Sequence, residues 1–293
     1  MMKYALVTGA TSGIGAEYAH QLAEAGHNII VVSNRDDENG IMAERLRREC
    51  GVQAEPLYAD LAQADAAEKI YEWCRARQAE VDILVSNAGI LHFGLLTCTD
   101  TAAIDRIVTL HCTTPAKLCR LFAADMCRRG EGRILLMSSI TAWTPYPTMS
   151  LYGSTKAFLR NFGAALHLET CRSGVSVTTV FPGAVDTPLY DLTPQRRRLL
   201  RRLGLMMSAR EVARRALRAM MHSRKSCTPG LAAKIETLLC RLLPARAVMP
   251  LMRLPAVRRM LERGHVRCGI RPPTQNREPR SAKNGNKFIT LLS

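Results

Sequence analysis

Short apolar segments alternate with amphipathic stretches along the first two-thirds of the chain. The apolar, β-branched segments predict strands, and the stretches with helical spacing predict helices. Strands are predicted at 4–8, 28–33, 53–58, 82–86, 133–139 and 175–181, and helices at 13–25, 38–50, 63–78, 101–129 (bent near Pro115) and 150–172. Because the strands are apolar on both faces, the pattern predicts an α/β fold with a doubly wound parallel sheet (a Rossmann fold) in a single domain.

The charge balance changes sharply in the last third of the chain. The whole chain has 41 Lys or Arg and 25 Asp or Glu, and residues 196–293 hold 24 of the basic and only 4 of the acidic residues. Ser208 and Glu211 have the spacing of a capping box and predict a helix over 208–224. We expect a dinucleotide-binding catalytic domain at 1–225, a basic amphipathic helical extension at 226–270, and a disordered tail at 271–293.

Ten cysteines are scattered along the chain, and no two of them form a CxxC pair. We therefore expect free thiols in a reducing compartment and no metal site. The N-terminus has no basic segment followed by a long apolar run, and no apolar run reaches 18 residues. These features predict a cytoplasmic protein without a signal peptide or a membrane-spanning helix.

A glycine loop, TGATSGIG, follows the first predicted strand and contains Gly9, Gly13 and Gly15. Glycines at this position let the backbone approach a pyrophosphate, and the next helix presents free N–H groups and its positive dipole end. The loop opens a βαβ unit, which is where a dinucleotide site requires it. The residues alone therefore point to a nucleotide cofactor.

Four further motifs occur in order: SNAG at 86–89, Ser139 at the end of the fifth strand, YGSTK at 152–156, and PGAVDTP at 182–188. With the glycine loop they resemble the short-chain dehydrogenase/reductase family, over about residues 3–222. The resemblance implies an NAD(P)(H)-dependent oxidoreductase. It also implies cofactor contacts by Thr8, Gly9, Ser12, Gly13, Ile14, Gly15, Arg35, Asp60, Leu61, Asn87, Ala88, Gly89, Tyr152, Lys156, Pro182, Gly183 and Thr187.

The end of the second strand bears on the form of the cofactor. An acidic residue there would bind the ribose 2′-hydroxyl of NAD, whereas an arginine suits the 2′-phosphate of NADP. This chain reads VVSNRDD, with Arg35 after Asn34. The sequence favours NADP(H), although Asp36 or Asp37 could reach a ribose hydroxyl if the turn is tight.

Tyr152 and Lys156 lie four residues apart, so they share one face of the predicted helix. A tyrosine that ionises near pH ~10 is a poor acid or base at neutral pH, but a neighbouring ammonium group favours the phenolate. The family resemblance implies that Tyr152 exchanges a proton with the substrate oxygen and that Ser139 polarises this oxygen. It also implies that Lys156 binds the nicotinamide ribose.

His111 stands where the family usually has an asparagine that relays protons to the lysine. We consider three interpretations. The histidine replaces the relay and titrates near neutral pH, or it packs in the helix while water carries the proton, or the enzyme is impaired. We include His111 among the candidate catalytic residues.

The family resemblance implies that the loop after PGAVDTP, residues 189–207 in this chain, determines substrate specificity. It offers an apolar cover for a substrate, and Trp143 and Tyr146 precede the catalytic tyrosine. Such a pocket suits a ketone or secondary alcohol on a bulky apolar molecule, and we favour a hydroxysteroid or bile-acid-like compound. A 3-oxoacyl or other lipid carbonyl is the alternative.

The basic segment 231–261 mixes Leu and Met with Arg. It could make a peripheral membrane contact, or it could pack on the domain or on a second subunit of a homo-oligomer. Nucleic-acid binding is not expected, because no aromatic stacking platform accompanies the charges. A non-catalytic NADP(H)-binding regulatory protein or a membrane adaptor is the alternative to an enzyme.

Overall fold

The computed structural model describes residues 2–146, 148–187 and 206–242, together with residues 195, 198, 201, 202 and 204. The strands are β1 Met2–Thr8, β2 Asn28–Ser33, β3 Ala54–Tyr58, β4 Ala79–Ser86, β5 Gly132–Met137, β6 Val175–Val180, β7 Ala184–Asp186, β8 Met206–Ser208 and β9 Ser226–Cys227. The α-helices are α1 Gly13–Glu24, α2 Asp36–Cys50, α3 Ala66–Ala76, α4 Thr101–Val108, α5 Thr114–Arg129, α6 Ser150–Thr170, α7 Ala209–Met221 and α8 Leu231–Leu242.

Seven parallel strands form the central sheet in the order β3-β2-β1-β4-β5-β6-β9. The order reverses at β1, where the chain crosses from one half of the sheet to the other. The predicted doubly wound Rossmann fold is therefore confirmed. The carboxyl ends of β1, β4, β5 and β6 meet at one edge, where ligands bind in sheets of this type.

Side chains alternate between two hydrophobic layers along each strand. In β1, Ala5 and Val7 face the layer that contains α1, α2 and α7, whereas Tyr4 and Leu6 face the layer that contains α3 and α5. Both layers are closed to solvent, so the central strands are apolar on both faces. This explains why the strands appear in the sequence as continuous apolar runs.

The long helix predicted over 101–129 is interrupted. A π-helical turn, Thr109–Thr113, separates α4 from α5, and Pro115 is the second residue of α5. Pro115 has no N–H to donate to the carbonyl oxygen of His111, which would be its acceptor in a continuous α-helix. The prediction of a bend near Pro115 is correct, and the irregular turn centres on His111.

The C-terminal part of the fold contributes an element that the sequence pattern did not indicate. β9 pairs with β6 through Thr179 and Val180 and becomes the seventh strand. The boundary at residue 225 stays a prediction, but this pairing favours placing the end of the domain after β9.

The predicted capping box at the start of α7 is partly present, since the Ser208 side chain accepts a hydrogen bond from the Glu211 N–H. None of the described helices is both long enough and apolar enough to cross a bilayer.

The cysteines depart from the expectation at one position. Cys98 is disulfide-bonded, so the expectation of free thiols throughout is wrong there. The seven other cysteines with described side chains are free. Pairing of distant cysteines depends on the fold and leaves no short spacing motif in the sequence.

A substitution of Leu84, in the centre of β4, tests the packing of the hydrophobic layer that contains α3 and α5. The side chain is fully buried, so Leu84→Ala should lower the free energy of unfolding by ~2–5 kcal/mol, the usual cost of a cavity in a close-packed core. Chemical denaturation of both forms measures this difference. The matched control is Leu168→Ala, because Leu168 on α6 is 75% exposed and its loss should cost roughly 0.5 kcal/mol or less. Equal losses in the two variants would contradict the assigned core.

Candidate active site

A cleft of about 890 Å³ opens at the carboxyl edge of the sheet. We call it the first cleft. The glycine loop, the residues after β4, the end of β5, helix α6 and the segment after β6 each contribute to its walls. Its lining residues are Gly9, Ser12, Gly13, Ile14, Asn87, Ala88, Gly89, Ile90, Met137, Ser138, Ser139, Tyr152, Lys156, Pro182, Gly183, Val185 and Thr187.

The glycine loop brings the N-terminus of α1 to this cleft. Gly9 and Gly13 have positive φ angles of 65° and 55°, which favour glycine. At Gly15 a Cβ atom would lie 1.9 Å from the carbonyl oxygen of Gly9, so α1 can approach the loop only with glycine there. The α1 N-cap, Ser12, makes no side-chain capping bond. The N–H groups at this end of the helix therefore fit a phosphate-bearing cofactor.

Thr8 and Asn87 fasten the loop to the end of β4. The backbone N–H groups of Asn87 and Ala88 both donate to Thr8 Oγ1, at 2.9 and 3.0 Å. The Asn87 side-chain amide returns a bond to the carbonyl oxygen of Thr8 at 3.0 Å. Thr8 is buried behind the cleft, so it positions the walls and does not itself line the cleft.

Lys156 carries a buried ammonium group at the floor of the cleft. Its Nζ donates to the carbonyl oxygen of Met137 at 2.8 Å, and Ser138 Oγ donates to the Lys156 carbonyl oxygen at 2.7 Å. Burial lowers the pKa of Lys156 to about 8. No carboxylate among the described residues pairs with it, so the charge is available to the cleft.

Tyr152 and Ser139 stand above this lysine. The Lys156 Nζ lies 5.5 Å from the centroid of the Tyr152 ring, which follows from their spacing of four on α6. Ser139 is the second residue after β5, and its Oγ accepts a hydrogen bond from the Thr141 N–H at 3.2 Å. The Ser139 hydroxyl proton can still be donated into the cleft. Ser139, Tyr152 and Lys156 thus line one cleft, and their catalytic roles stay a prediction.

His111 lies behind the cleft wall, in the π turn. Its Nε2 accepts from the Ile90 N–H at 3.0 Å, and its Nδ1 lies 3.0 Å from Thr155 Oγ1. Because Nε2 must be an acceptor here, the ring proton is on Nδ1 and is donated to Thr155. Thr155 Oγ1 in turn donates to the Tyr152 carbonyl oxygen at 2.8 Å. His111 therefore joins the loop after β4 to the helix that carries Tyr152 and Lys156.

The expectation that His111 titrates near neutral pH is wrong. Burial lowers the pKa of His111 to about 2, and the positive charge of Lys156 acts in the same direction. Both ring nitrogens are already hydrogen-bonded within the protein. The ring therefore stays neutral at physiological pH, and its role as a proton relay remains a hypothesis without this titration.

A second cleft, of about 850 Å³, continues from the first towards β2 and β3. It contains Asp60 after β3, Arg35 after β2, and Arg106 on α4. Arg106 Nη2 is 3.7 Å from Asp60 Oδ2, and Arg35 Nη1 is 2.7 Å from Glu38 Oε1. Asp36 and Asp37 lie in the first turn of α2 and do not line this cleft. The described walls therefore contain two guanidinium groups, each of which faces a carboxylate of the protein, and a phosphate group binds guanidinium in the same way as a carboxylate does.

A buried side chain fixes the turn that carries Arg35. Asn39 Oδ1 accepts from Ser33 Oγ at 2.6 Å, and Asn39 Nδ2 donates to the carbonyl oxygens of Ser33 and Leu57, at 3.1 Å each. The Arg35 N–H donates to Ser33 Oγ at 3.1 Å. These bonds hold β2, β3 and α2 together and place Arg35 at the mouth of the second cleft.

Most of the predicted site residues line one or both clefts. Thr8, Gly15 and His111 do not, and each supports the walls from behind. Sequence analysis missed other lining residues: Ile90, Met137, Ser138 and Val185 in the first cleft, and Thr11, Ser33, Asn34, Ala59, Arg106 and Leu110 in the second. Six of these adjoin a predicted site residue in the sequence and could have been inferred from it: Thr11, Asn34, Ala59, Ile90, Leu110 and Ser138.

The predicted substrate-binding segments are only partly described. The Trp143 ring packs 5.5 Å from that of Phe181, with the Arg160 guanidinium carbon 4.5 Å from its centroid, and it does not line the first cleft. The Tyr146 hydroxyl donates to Glu236 of α8 at 3.2 Å. Trp143 and Tyr146 therefore do not line the first cleft, and their place at a substrate pocket stays a prediction. In the segment 189–207, the predicted apolar cover residues Leu189, Tyr190, Leu192, Leu199, Leu200, Leu203 and Leu205 lie outside the described residues.

The sequence of this chain matches that of a known protein family. A model of the short chain dehydrogenase family matches residues 3–197, more than half of the 293 residues. The chain belongs to the short-chain dehydrogenase family. This membership makes it an oxidoreductase and confirms the resemblance seen in the motifs.

Three curated relatives illustrate the range of this family. The chain is 36% identical over 192 residues to an uncharacterised oxidoreductase, YmfI, of Bacillus subtilis (strain 168), covering 65% of this chain and 78% of the relative. It is 28% identical over 254 residues to 17-beta-hydroxysteroid dehydrogenase type 3 of Rattus norvegicus, covering 84% and 78%. It is 32% identical over 196 residues to a very-long-chain 3-oxoacyl-CoA reductase of Anas platyrhynchos, covering 65% and 62%.

Two solved structures resemble the fold closely. A bulky-bulky ketone specific alcohol dehydrogenase from Comamonas testosteroni has a TM-score of 0.70 and 30% identity, covering 87% of this chain and 94% of that structure. A short-chain dehydrogenase from Sphingobium yanoikuyae in complex with NADPH has a TM-score of 0.71 and 31% identity, covering 87% and 96%. Both likenesses extend beyond residues 3–197 of the family match.

The environment of His111 gives a direct test by NMR. We expect the His111 ring to remain neutral, with its proton on Nδ1, from about pH 8 down to about pH 5, where an unperturbed histidine becomes charged. Imidazole ¹⁵N shifts of the labelled protein measure this state, and the His111→Asn variant assigns the resonance. A His111 resonance that titrates between about pH 6 and 7 would show that the ring is not held as described.

Proposed function

We propose that this protein is an NADP(H)-dependent dehydrogenase or reductase that interconverts a ketone and a secondary alcohol on a bulky apolar substrate. One observation carries the proposal: Ser139, Tyr152 and Lys156 line a single cleft beside the uncapped N-terminus of α1. A hydroxyl donor, an acid–base group and a buried cation are then available to one substrate oxygen. This combination suits carbonyl reduction and its reverse.

Tyr152 is the proton donor in the direction of reduction. Its Oη gives a proton to the carbonyl oxygen, and in oxidation it takes the proton from the alcohol. The Lys156 ammonium favours the phenolate that remains after donation. Ser139 Oγ donates a hydrogen bond to the same substrate oxygen and stabilises the charge that develops there.

His111 and Thr155 act as positioning residues in this proposal. The neutral imidazole fixes the loop after β4 against α6 through Ile90 and Thr155. It does not add a second positive charge beside Lys156, which would disfavour the ammonium that Tyr152 depends on. A neutral histidine can therefore occupy this position without weakening the acid–base pair.

The clefts fit a nicotinamide dinucleotide, which when bound supplies or accepts the hydride. Gly9, Ser12, Gly13 and Ile14 would hold the pyrophosphate, and Asn87, Ala88, Gly89, Lys156, Pro182, Gly183 and Thr187 the nicotinamide half. Asp60 and Leu61 would hold the adenine end. Arg35 and Arg106 support NADP(H) over NAD(H), because two guanidinium groups suit a 2′-phosphate.

The substrate class rests on the relatives. They include a hydroxysteroid dehydrogenase, a 3-oxoacyl-CoA reductase and an alcohol dehydrogenase specific for bulky-bulky ketones. All three names describe a carbonyl or hydroxyl group on a large substrate. We favour a hydroxysteroid or bile-acid-like substrate, with a 3-oxoacyl compound as the alternative, and a panel of such ketones with NADPH would decide between them.

Tyr152→Phe tests the proton donor. The change removes the hydroxyl and keeps the ring, so turnover should fall by about 10²-fold or more while NADPH affinity changes little. Steady-state kinetics on an accepted ketone and NADPH fluorescence titration measure the two quantities. Tyr58→Phe is the matched control, because Tyr58 is 57% exposed and lies outside both clefts. Near-normal turnover of Tyr152→Phe would refute the assigned role.

Arg35→Asp tests the choice of cofactor. The variant loses a cation at the second cleft and gains a repulsive charge, so the ratio of kcat/KM for NADPH to that for NADH should fall by about 10-fold or more. Arg48→Asp on α2, the helix that follows Arg35, is the control, since the Arg48 side chain is 72% exposed and does not line the cleft. A wild type that prefers NADH would overturn the cofactor assignment whatever the variant does.

A further inference from the structure

Helix α8 presents an apolar stripe to solvent. Ala233 and Thr237 are buried against the domain, and a Cβ added at Gly183 would lie 3.3 Å from Ala233. At 100° per residue, four large apolar side chains fall within about 100° of arc on the opposite side of the helix. They are Leu231, Ile235, Leu238 and Leu239, with exposed fractions of 73%, 52%, 57% and 49%.

A basic cleft adjoins one flank of this stripe. It opens between α7, β9 and the start of α8 and contains about 1200 Å³. Its charged lining residues are Arg214, Arg215, Arg218, Arg224 and Lys234. Lys234 lies on α8 about 40° from Leu238 around the helix axis, so the cleft and the stripe form one continuous surface.

The cations of this surface are mostly unpaired. Glu211 pairs with Arg214 and Arg215, at 2.8 and 2.6 Å. Arg218, Arg224 and Lys234 have no carboxylate partner among the described residues. The single acidic residue of α8, Glu236, lies on the far flank and binds the Tyr146 hydroxyl. The exposed side of α8 and its neighbouring cleft therefore combine apolar side chains with net positive charge.

We propose that the apolar stripe and the basic cleft together bind the surface of a membrane that contains anionic lipids. The leucines and Ile235 enter the boundary between headgroups and acyl chains, while the arginines and Lys234 contact lipid phosphates. The chain that follows α8 has the same charge bias, since residues 243–293 include eleven Lys or Arg and two acidic residues. This proposal does not depend on the reaction that the active site performs.

Charge distinguishes the membrane from other occupants of this face. A second copy docked by the same surface would bring two sets of unpaired arginines together, which is unfavourable. Nucleic acid would use the cations but gain nothing from four exposed aliphatic side chains, and no Phe, Tyr or Trp among the described residues lines the basic cleft. An anionic bilayer satisfies both components at once.

The test is flotation of the full chain with vesicles of phosphatidylcholine alone or mixed with phosphatidylglycerol. Wild-type protein should float with the mixed vesicles and much less with the neutral ones. Leu238→Ser combined with Leu239→Ser, and separately Arg218→Glu, should each weaken binding to mixed vesicles by about 10-fold or more. The controls are Leu168→Ser, because Leu168 is 75% exposed on α6, and Arg48→Glu on α2, and both should bind like wild type.

Three results would overturn the proposal. Equal flotation with both kinds of vesicle, or undiminished binding of the stripe variant, would separate the surface from anionic lipid. A wild-type dimer that becomes a monomer in the stripe variant, by light scattering, would assign the stripe to a subunit interface. Failure of the wild-type protein to float with mixed vesicles would also overturn the proposal. A lower Tm of the stripe variant would then assign the stripe to internal packing, and binding of the wild type to a DNA duplex would assign the basic cleft to nucleic acid.

Discussion

The hydrogen bond from the buried ammonium group of Lys156 to the carbonyl oxygen of Met137 joins helix α6 to the last residue of strand β5. Ser138 makes the reciprocal bond to the Lys156 backbone. Removing a cation from water is costly unless it is hydrogen-bonded, so this contact fixes where α6 can lie. The positions of Tyr152 on the helix and of Ser139 after the strand follow from it. The neutrality of His111 follows mainly from the burial of its own ring, and the positive charge of Lys156 acts in the same direction.

The parallel sheet explains how distant segments reach this lysine. Residues after β1, β4, β5 and β6 all lie at the carboxyl edge, although they are far apart in the chain. The glycine loop lies close against α1, because the backbone at Gly15 contacts the backbone at Gly9 and leaves no room for a side chain. The second cleft then extends the same edge outward to Arg35 and Arg106.

The sequence predicted the features that depend on local pattern. Apolar runs identified the six long strands of the sheet, and the motifs pointed to Ser139, Tyr152 and Lys156, which line one cleft in the structure. Features that depend on distant contacts were not predictable. The two-residue β9 is too short to show a pattern, and Arg106 reaches its cleft only because α4 packs beside Asp60. The disulfide bond of Cys98 is not indicated by any cysteine spacing motif in the sequence. His111 looked ready to titrate because its burial is a property of the folded chain.

The π turn at Thr109–Thr113 constrains how this protein can change length during evolution. It adds one residue to a helix that would otherwise run unbroken from α4 to α5, and it lets Ile107 and Phe122 both face the interior. Deleting one residue there would rotate one half of the helix by about 100° relative to the other. Either His111 would lose its hydrogen bonds to Ile90 and Thr155, or the apolar face of α5 would no longer pack against the sheet. Insertions and deletions should therefore be excluded from this turn while the surrounding loops tolerate them.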